Sequence, residues 1–198
     1  IHGGSPTASQ YFAEHPVETI MTNLNGATNL LELARKNQAE GFLFLSSMEV
    51  YGGIHCREKI NEQHASLVDT MAPRSSYPEV KRMVESLCAC YADEYGVPAK
   101  SIRLTQTFGA GIRKSDNRVF AQFVHAAMNH EDIVMFTQGG TEHSYLYTAD
   151  AVSAILTVLL KGTAGEAYNA ANEQAYCSIK EMAETVADLD IIKEKYGG

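Results

Sequence analysis

Residues 41–46 read Gly-Phe-Leu-Phe-Leu-Ser, apolar at every position between the glycine and the serine. A strand alternates its side chains between two faces, so an unbroken apolar run predicts a strand covered on both sides. Such strands belong to parallel sheets held between helix layers, and the flanks supply the helices. Pro16 marks a helix start, and Val17, Ile20, Leu24, Ala27, Leu30, Leu31 and Ala34 recur at helical spacing to about Asn37. A second helix opens at Tyr77, carries Val80, Met83, Val84, Leu87, Cys88 and Tyr91, and closes near Gly96. Beyond it the pattern predicts a strand over Lys100–Leu104, a helix over 118–129, and short strands over Ile133–Phe136 and Ser144–Tyr147. A helix capped by Thr148, a strand at Ala167–Ala170 and a helix from Ser178 to about Leu189 follow. Residues 54–75 and 105–111 read as loops, and 188–198 as a charged tail without pattern. Strand and helix alternate throughout, which predicts an α/β protein with a doubly wound parallel sheet.

Ligands in such sheets bind at the carboxyl ends of the strands. Three polar stretches fall there: Gly3, Gly4 and Ser5, then Ser47–Glu49, then Thr105–Thr107. Ile1–Ser5 reads as a strand end running into a glycine turn, so we expect further chain before Ile1 in the parent protein. The net charge of −8 and pI near 5.3 argue against nucleic acid or an anionic membrane as the main partner. No apolar run approaches the ~18 residues of a membrane span. Cys56, Cys88, Cys90 and Cys177 show no metal-ligand spacing, so reduced thiols, a cytoplasmic location and no metal are expected.

Tyr77 and Lys81 stand four apart at a helix start, where Ser76 is placed to cap. A free tyrosine titrates near ~10 and is a poor base at neutral pH. A lysine charge about 4 Å away offsets that by up to roughly three units. The spacing therefore predicts an acid/base phenol whose proton affinity Lys81 depresses. In isolation the spacing is equally that of an ordinary surface helix. The polar strand ends around it raise the functional reading.

These residues resemble the extended short-chain dehydrogenases/reductases, the NAD-dependent nucleotide-sugar epimerases, dehydratases and decarboxylases. Ile1–Ser5 is similar to the family's V-I-H-x-A-A strand end, and Asn23, Gly26 and Asn29 to its N-x-x-G-T-x-N helix. Ser46–Gly52 resembles its S-S-x-x-V-Y-G segment, Tyr77 and Lys81 its Y-x-x-x-K, Arg103–Gly109 its R-x-x-N-x-x-G, and Tyr147–Val152 its Y-V-x-D-V. The resemblance implies a Rossmann-like sheet lacking its first βαβ part, with 1–110 belonging to the NAD-binding domain. It makes 111–198 mostly a small substrate-binding region, some segments returning to the sheet.

For the site, the resemblance implies that Ser47 bonds the sugar hydroxyl being oxidised and Tyr77 takes its proton. Lys81 would hold the nicotinamide ribose, and Glu49 would serve as a base. Gly3, Gly4, Ser5, Asn23, Ser46, Leu104, Thr105 and Thr107 would line the NAD site with Tyr77 and Lys81. Gln106, Arg118 and His143 would face the diphosphate of a UDP or dTDP sugar. A homodimer paired through the two long helices is implied as well.

Four departures bear on the reaction. The family's glycine-rich phosphate loop does not occur in these residues, Gln106 and Ala110 replace its Asn and Pro, and His143 replaces a decarboxylase arginine. Met48 stands where 4,6-dehydratases carry an acid. Eliminating water needs an acid for the departing hydroxyl, whereas losing CO₂ from a 4-keto uronate does not. The order of expectation is therefore a UDP-glucuronate decarboxylase-like activity, then a 4-epimerase, then a 4,6-dehydratase. The alternatives are a truncated or non-catalytic family member acting by binding, and a reductase of a non-sugar substrate.

Overall fold

The computed structural model describes residues 1–7, 9–52, 59–65, 67–111 and 115–189. Cys56, the start of the long loop and the tail from residue 190 lie outside them. In chain order the elements are α1 (Ser9–Glu14), α2 (Pro16–Lys36), β1 (Phe42–Ser47), α3 (Ser76–Tyr95) and β2 (Ala99–Leu104). Then come β3 (Gln106–Phe108), α4 (Val119–Met128), β4 (Glu142–Tyr147), α5 (Thr148–Lys161), β5 (Ala167–Ala170), β6 (Tyr176–Ser178) and α6 (Ile179–Ala187). They divide into two compact units, the first made of Ile1–Thr105 with Asp150–Ala170, the second of Gln106–Ala149 with the chain from Ala171 onward.

The first unit is α/β and Rossmann-like. Its parallel sheet has the order β1-β2-β5, and His2 bridges Phe44 on the free side of β1. Phe42, Leu43 and Phe44 are all buried, which explains the unbroken apolar run. Phe42 and Phe44 face a core made with Ala27, Leu31 and Ala34 of α2 and Val80, Val84 and Cys88 of α3. Those positions fall at i, i+4 and about two turns on, the stripe that a helix lays on a sheet. Lys100, level with Leu43 in register, sends its ammonium to the Leu159 carbonyl of α5 at 3.0 Å. Helices thus lie on both faces of the sheet. α3 stops at Gly96, whose φ of 65° is the left-handed conformation a glycine adopts without strain. Register pairs Ser47 with Leu104 and Leu104 with Ala170, so the carboxyl ends of all three strands are level.

The second unit has the sheet order β3-β4-β6, parallel between β3 and β4 and antiparallel between β4 and β6. Its core joins Phe120 and Phe123 of α4, Tyr145 of β4, and Met182, Ala183 and Val186 of α6. Ser178 and Glu181 form a reciprocal capping box that starts α6.

Three readings of the sequence are corrected here. Ser76 does not cap α3; Ser75 before it is already helical in ψ at −6°, and a cap requires extended backbone. Residues 106–108 are strand rather than loop, because β4 lies alongside to pair with them. Ile133–Phe136 forms no strand, and Val134 and Phe136 are 60% and 90% exposed, without the neighbouring strand and burial that pairing needs.

Candidate active site

The site is built at the carboxyl end of β1. Ser47 ends the strand in extended backbone and its hydroxyl accepts the Glu49 amide at 3.2 Å, opening the tight turn Met48–Tyr51. That turn aims Glu49 back toward α3, where Arg74 meets its carboxylate with Nη2 at 2.9 and 3.1 Å. Tyr77 enters from the first turn of α3. It is 7% exposed, and the Ser47 side chain is among the groups that act on its phenol. The ring of Phe12 from α1 lies flat on the Tyr77 ring, with centroids 4.0 Å apart and planes 8° from parallel. The Arg74 guanidinium covers Phe12 at 5.1 Å.

Lys81 follows one turn after Tyr77 and is 2% exposed. Its ammonium donates to the Leu45 carbonyl at 3.0 Å and lies 4.6 Å from the centre of the Phe44 ring and 5.4 Å from that of Tyr77. Burial brings its pKa down to about 8, against the pull of Glu85. The Tyr77 phenol moves the opposite way, up to about 12, because burial outweighs the lowering influence of Ser47; Glu49 raises it further and Arg74 lowers it. This corrects the expectation of a phenol depressed by Lys81. In this arrangement the ammonium is spent on the β1 backbone, and Arg74 is the cation that eases ionisation of the phenol.

The other residues expected of a cofactor site fall as follows. Gly3 lies against Leu45, where an added Cβ would come within 3.0 Å of that side chain. Gly4 sits beside the His2 imidazole, and the Ser5 hydroxyl turns to the Pro6 carbonyl at 3.0 Å. Asn23 is wholly buried, its amide nitrogen on the Thr19 carbonyl at 2.7 Å and its oxygen without a partner. The Ser46 hydroxyl is likewise buried and unpartnered. Leu104 ends β2, and Thr105 donates its amide to the Ala170 carbonyl at 3.2 Å. His2 is buried with Nε2 unpartnered, and burial, then the Lys81 charge, lowers its pKa. Buried hydroxyl, amide and imidazole atoms left without partners fit a polar ligand whose own groups would pair with them.

Gln106, Thr107, Arg118 and His143 belong to the second unit. Gln106 and Thr107 pair with Tyr145 and Leu146 along β3. Arg118 reaches the Thr107 carbonyl at 3.3 Å, but its guanidinium is mainly clamped by Asp116 at 2.6 to 3.1 Å. His143 stands opposite Cys177 on β4 and meets the Tyr145 ring edge-on at 6.4 Å. Among the described residues no cluster of three or more His, Cys, Asp or Glu could hold a metal, and no helix is long and apolar enough to cross a membrane.

Two site residues, Phe12 and Arg74, have no role in the sequence reading. Arg74 stands three before Tyr77 in the R-S-x-Y run, which was the available signal. Phe12 sits in a helix of only six residues, too short for a hydrophobic period to appear.

The model of the NAD dependent epimerase/dehydratase family matches residues 1–171. The chain belongs to this family. Among curated relatives, UDP-glucuronic acid decarboxylase 1 of Danio rerio is 29% identical over 188 residues, covering 95% of this chain and 44% of the relative. UDP-glucuronic acid decarboxylase 3 of Arabidopsis thaliana is 30% identical over 190 residues, covering 95% and 54%. The chain thus spans about half the length of these members. Among solved structures, UDP-glucose 4-epimerase of Thermotoga maritima, with UDP-glucose, superposes with a TM-score of 0.83 at 22% identity, covering 99% of this chain and 60% of that one. The dTDP-glucose 4,6-dehydratase of Bacillus anthracis, in complex with NAD, gives 0.78 at 23%, covering 91% and 55%. These likenesses establish the shared fold.

Proposed function

We propose that this chain carries the acid/base centre of an NAD-dependent nucleotide-sugar enzyme that works through a 4-keto intermediate, most like a UDP-glucuronate decarboxylase. The observation that carries the reading is the buried Tyr77 phenol under the influence of Ser47 at a strand end, with the Glu49–Arg74 pair also acting on it. Ser47 orients the sugar hydroxyl and Tyr77 receives its proton. Tyr77, Lys81, Gly3, Gly4, Ser5, Asn23, Ser46, Leu104, Thr105 and Thr107 are the residues that would hold NAD. Bound NAD would supply the hydride acceptor, and its cationic nicotinamide would favour the phenolate. The first unit is then the cofactor domain, and the second, with Gln106, Arg118 and His143, the sugar-diphosphate domain.

Glu49 fits either a base or a partner that keeps Arg74 in place. Both side chains of that pair are partly exposed, so parting them costs about 1 kcal/mol or less, cheap enough to happen in a catalytic cycle. Met48 offers no proton for a departing hydroxyl, which favours loss of CO₂ over dehydration. His143 stands where decarboxylases carry an arginine and weakens that reading, since an imidazole holds a diphosphate less firmly than a guanidinium; a 4-epimerase is the second reading. Incubating the intact protein with NAD and UDP-glucuronate, and following the sugar by NMR, separates the two. Release of CO₂ with a UDP-pentose product is expected; a UDP-uronate inverted at C4 would contradict the decarboxylase and support the epimerase.

We also propose a homodimer formed through α2 and α3. Val17, Met21, Leu33 and Met83 on these helices are 49% to 73% exposed, more apolar surface than a solvated face requires.

A further inference from the structure

The residues above are assigned to proton transfer, yet the Tyr77 ring is stacked on a side chain that has no part in it. Phe12 is 1% exposed, on a helix of six residues whose remaining side chains are mostly at the surface. It is stacked on Tyr77 at 4.0 Å with nearly parallel planes, and its ring is also covered by Arg74 at 5.1 Å. Arg74 continues to Glu49, and the Ser47 side chain acts on the Tyr77 phenol. A core phenylalanine fills space in any orientation. One that is flat between a phenol and a guanidinium fixes the plane of the first and the position of the second.

We propose that Phe12 is a positioning residue: its ring keeps water from one face of Tyr77, holds the phenol toward Ser47, and seats Arg74 on Glu49. The role acts through Tyr77 and Arg74, and its consequence for turnover rests on the proposed function; its effect on the phenol does not. Removing the flat ring admits water to the phenol and relieves the burial that now dominates its titration.

The test is ¹³C NMR titration of the intact protein labelled at tyrosine Cζ, with Tyr77→Phe used to assign the resonance. In the parent the phenol ionises at about 12, so it is mostly protonated at pH 10 to 11. Phe12→Leu is expected to move the midpoint down by about one unit, roughly a tenfold gain in phenolate at a given pH, and Phe12→Tyr to restore the parent value. If Phe12→Leu does not fold, Phe12→Met, which keeps the volume without the flat ring, is read in the same way. A Leu or Met variant that folds and titrates like the parent would overturn the proposal, leaving Phe12 as space-filling. So would an equal shift in Phe12→Tyr. In turnover, Phe12→Leu is expected to lower kcat at an unchanged KM despite the added phenolate, because the phenol is no longer held in one plane for proton transfer, with recovery in Phe12→Tyr. Should Tyr77→Phe leave turnover intact, the catalytic reading of Tyr77 falls while the titration still decides the role of Phe12.

Discussion

Tyr77 is protonated at neutral pH as any tyrosine is, and burial extends that form well above the ordinary range. In the direction that protonates a sugar oxygen, this is the form required; in the oxidising direction the phenolate must be favoured when the site fills. Lys81 experiences the same burial with the opposite sign. Its folded pKa of about 8 lies below the value of an exposed lysine, so between about pH 8 and 10 the unfolded chain binds more protons than the folded one. Stability attributable to Lys81 therefore rises with pH through that window. Urea unfolding of the parent and Lys81→Met at a series of pH values is expected to show the parent gaining on the variant from pH 8 to 10. A difference independent of pH would contradict the buried ammonium. At this scale the sequence was most and least informative at once. The Tyr77–Lys81 spacing and Ser47 could be read from local pattern and resemblance. The direction of the phenol shift depends on burial, which contacts distant in sequence create and no spacing encodes.

α2, α3, β1 and β2 were legible because each carries its own period or apolar run, and each is long enough for burial to leave a pattern. α1 was not, since six residues are too few for a helical period, and β3 and β6 were not, since strands of three residues owe their form to neighbours. α3 is fastened to β2 by the Arg103–Glu85 pair at 2.7 Å, with both side chains nearly enclosed, so the helix that carries Tyr77 is fixed to the sheet that carries Ser47. The outer faces of α2 and α3 remain apolar at Met21 and Met83, and here the dimer proposal can be tested. Sedimentation of the intact protein is expected to give a dimer, and Met83→Glu a monomer, because a charge at the centre of an apolar interface is left unpaired. A monomeric parent would contradict the pairing.

At the scale of the molecule, the alternation of strands and helices was sufficient for the fold class, and motifs in family order for the family. The division of labour between the two units was only partly legible, because β5 returns to the first sheet from a position far along the chain. On the proposed function, Tyr77, stacked on Phe12 at the carboxyl end of β1, moves the proton that accompanies hydride transfer from the sugar. The direct measurement is single-turnover absorbance of the reduced nicotinamide, with intact protein, NAD and UDP-glucuronate, for the parent and Tyr77→Phe. The parent is expected to form the reduced nicotinamide rapidly and the variant more slowly by about 10²-fold or more. Equal rates in the two proteins would contradict the claim.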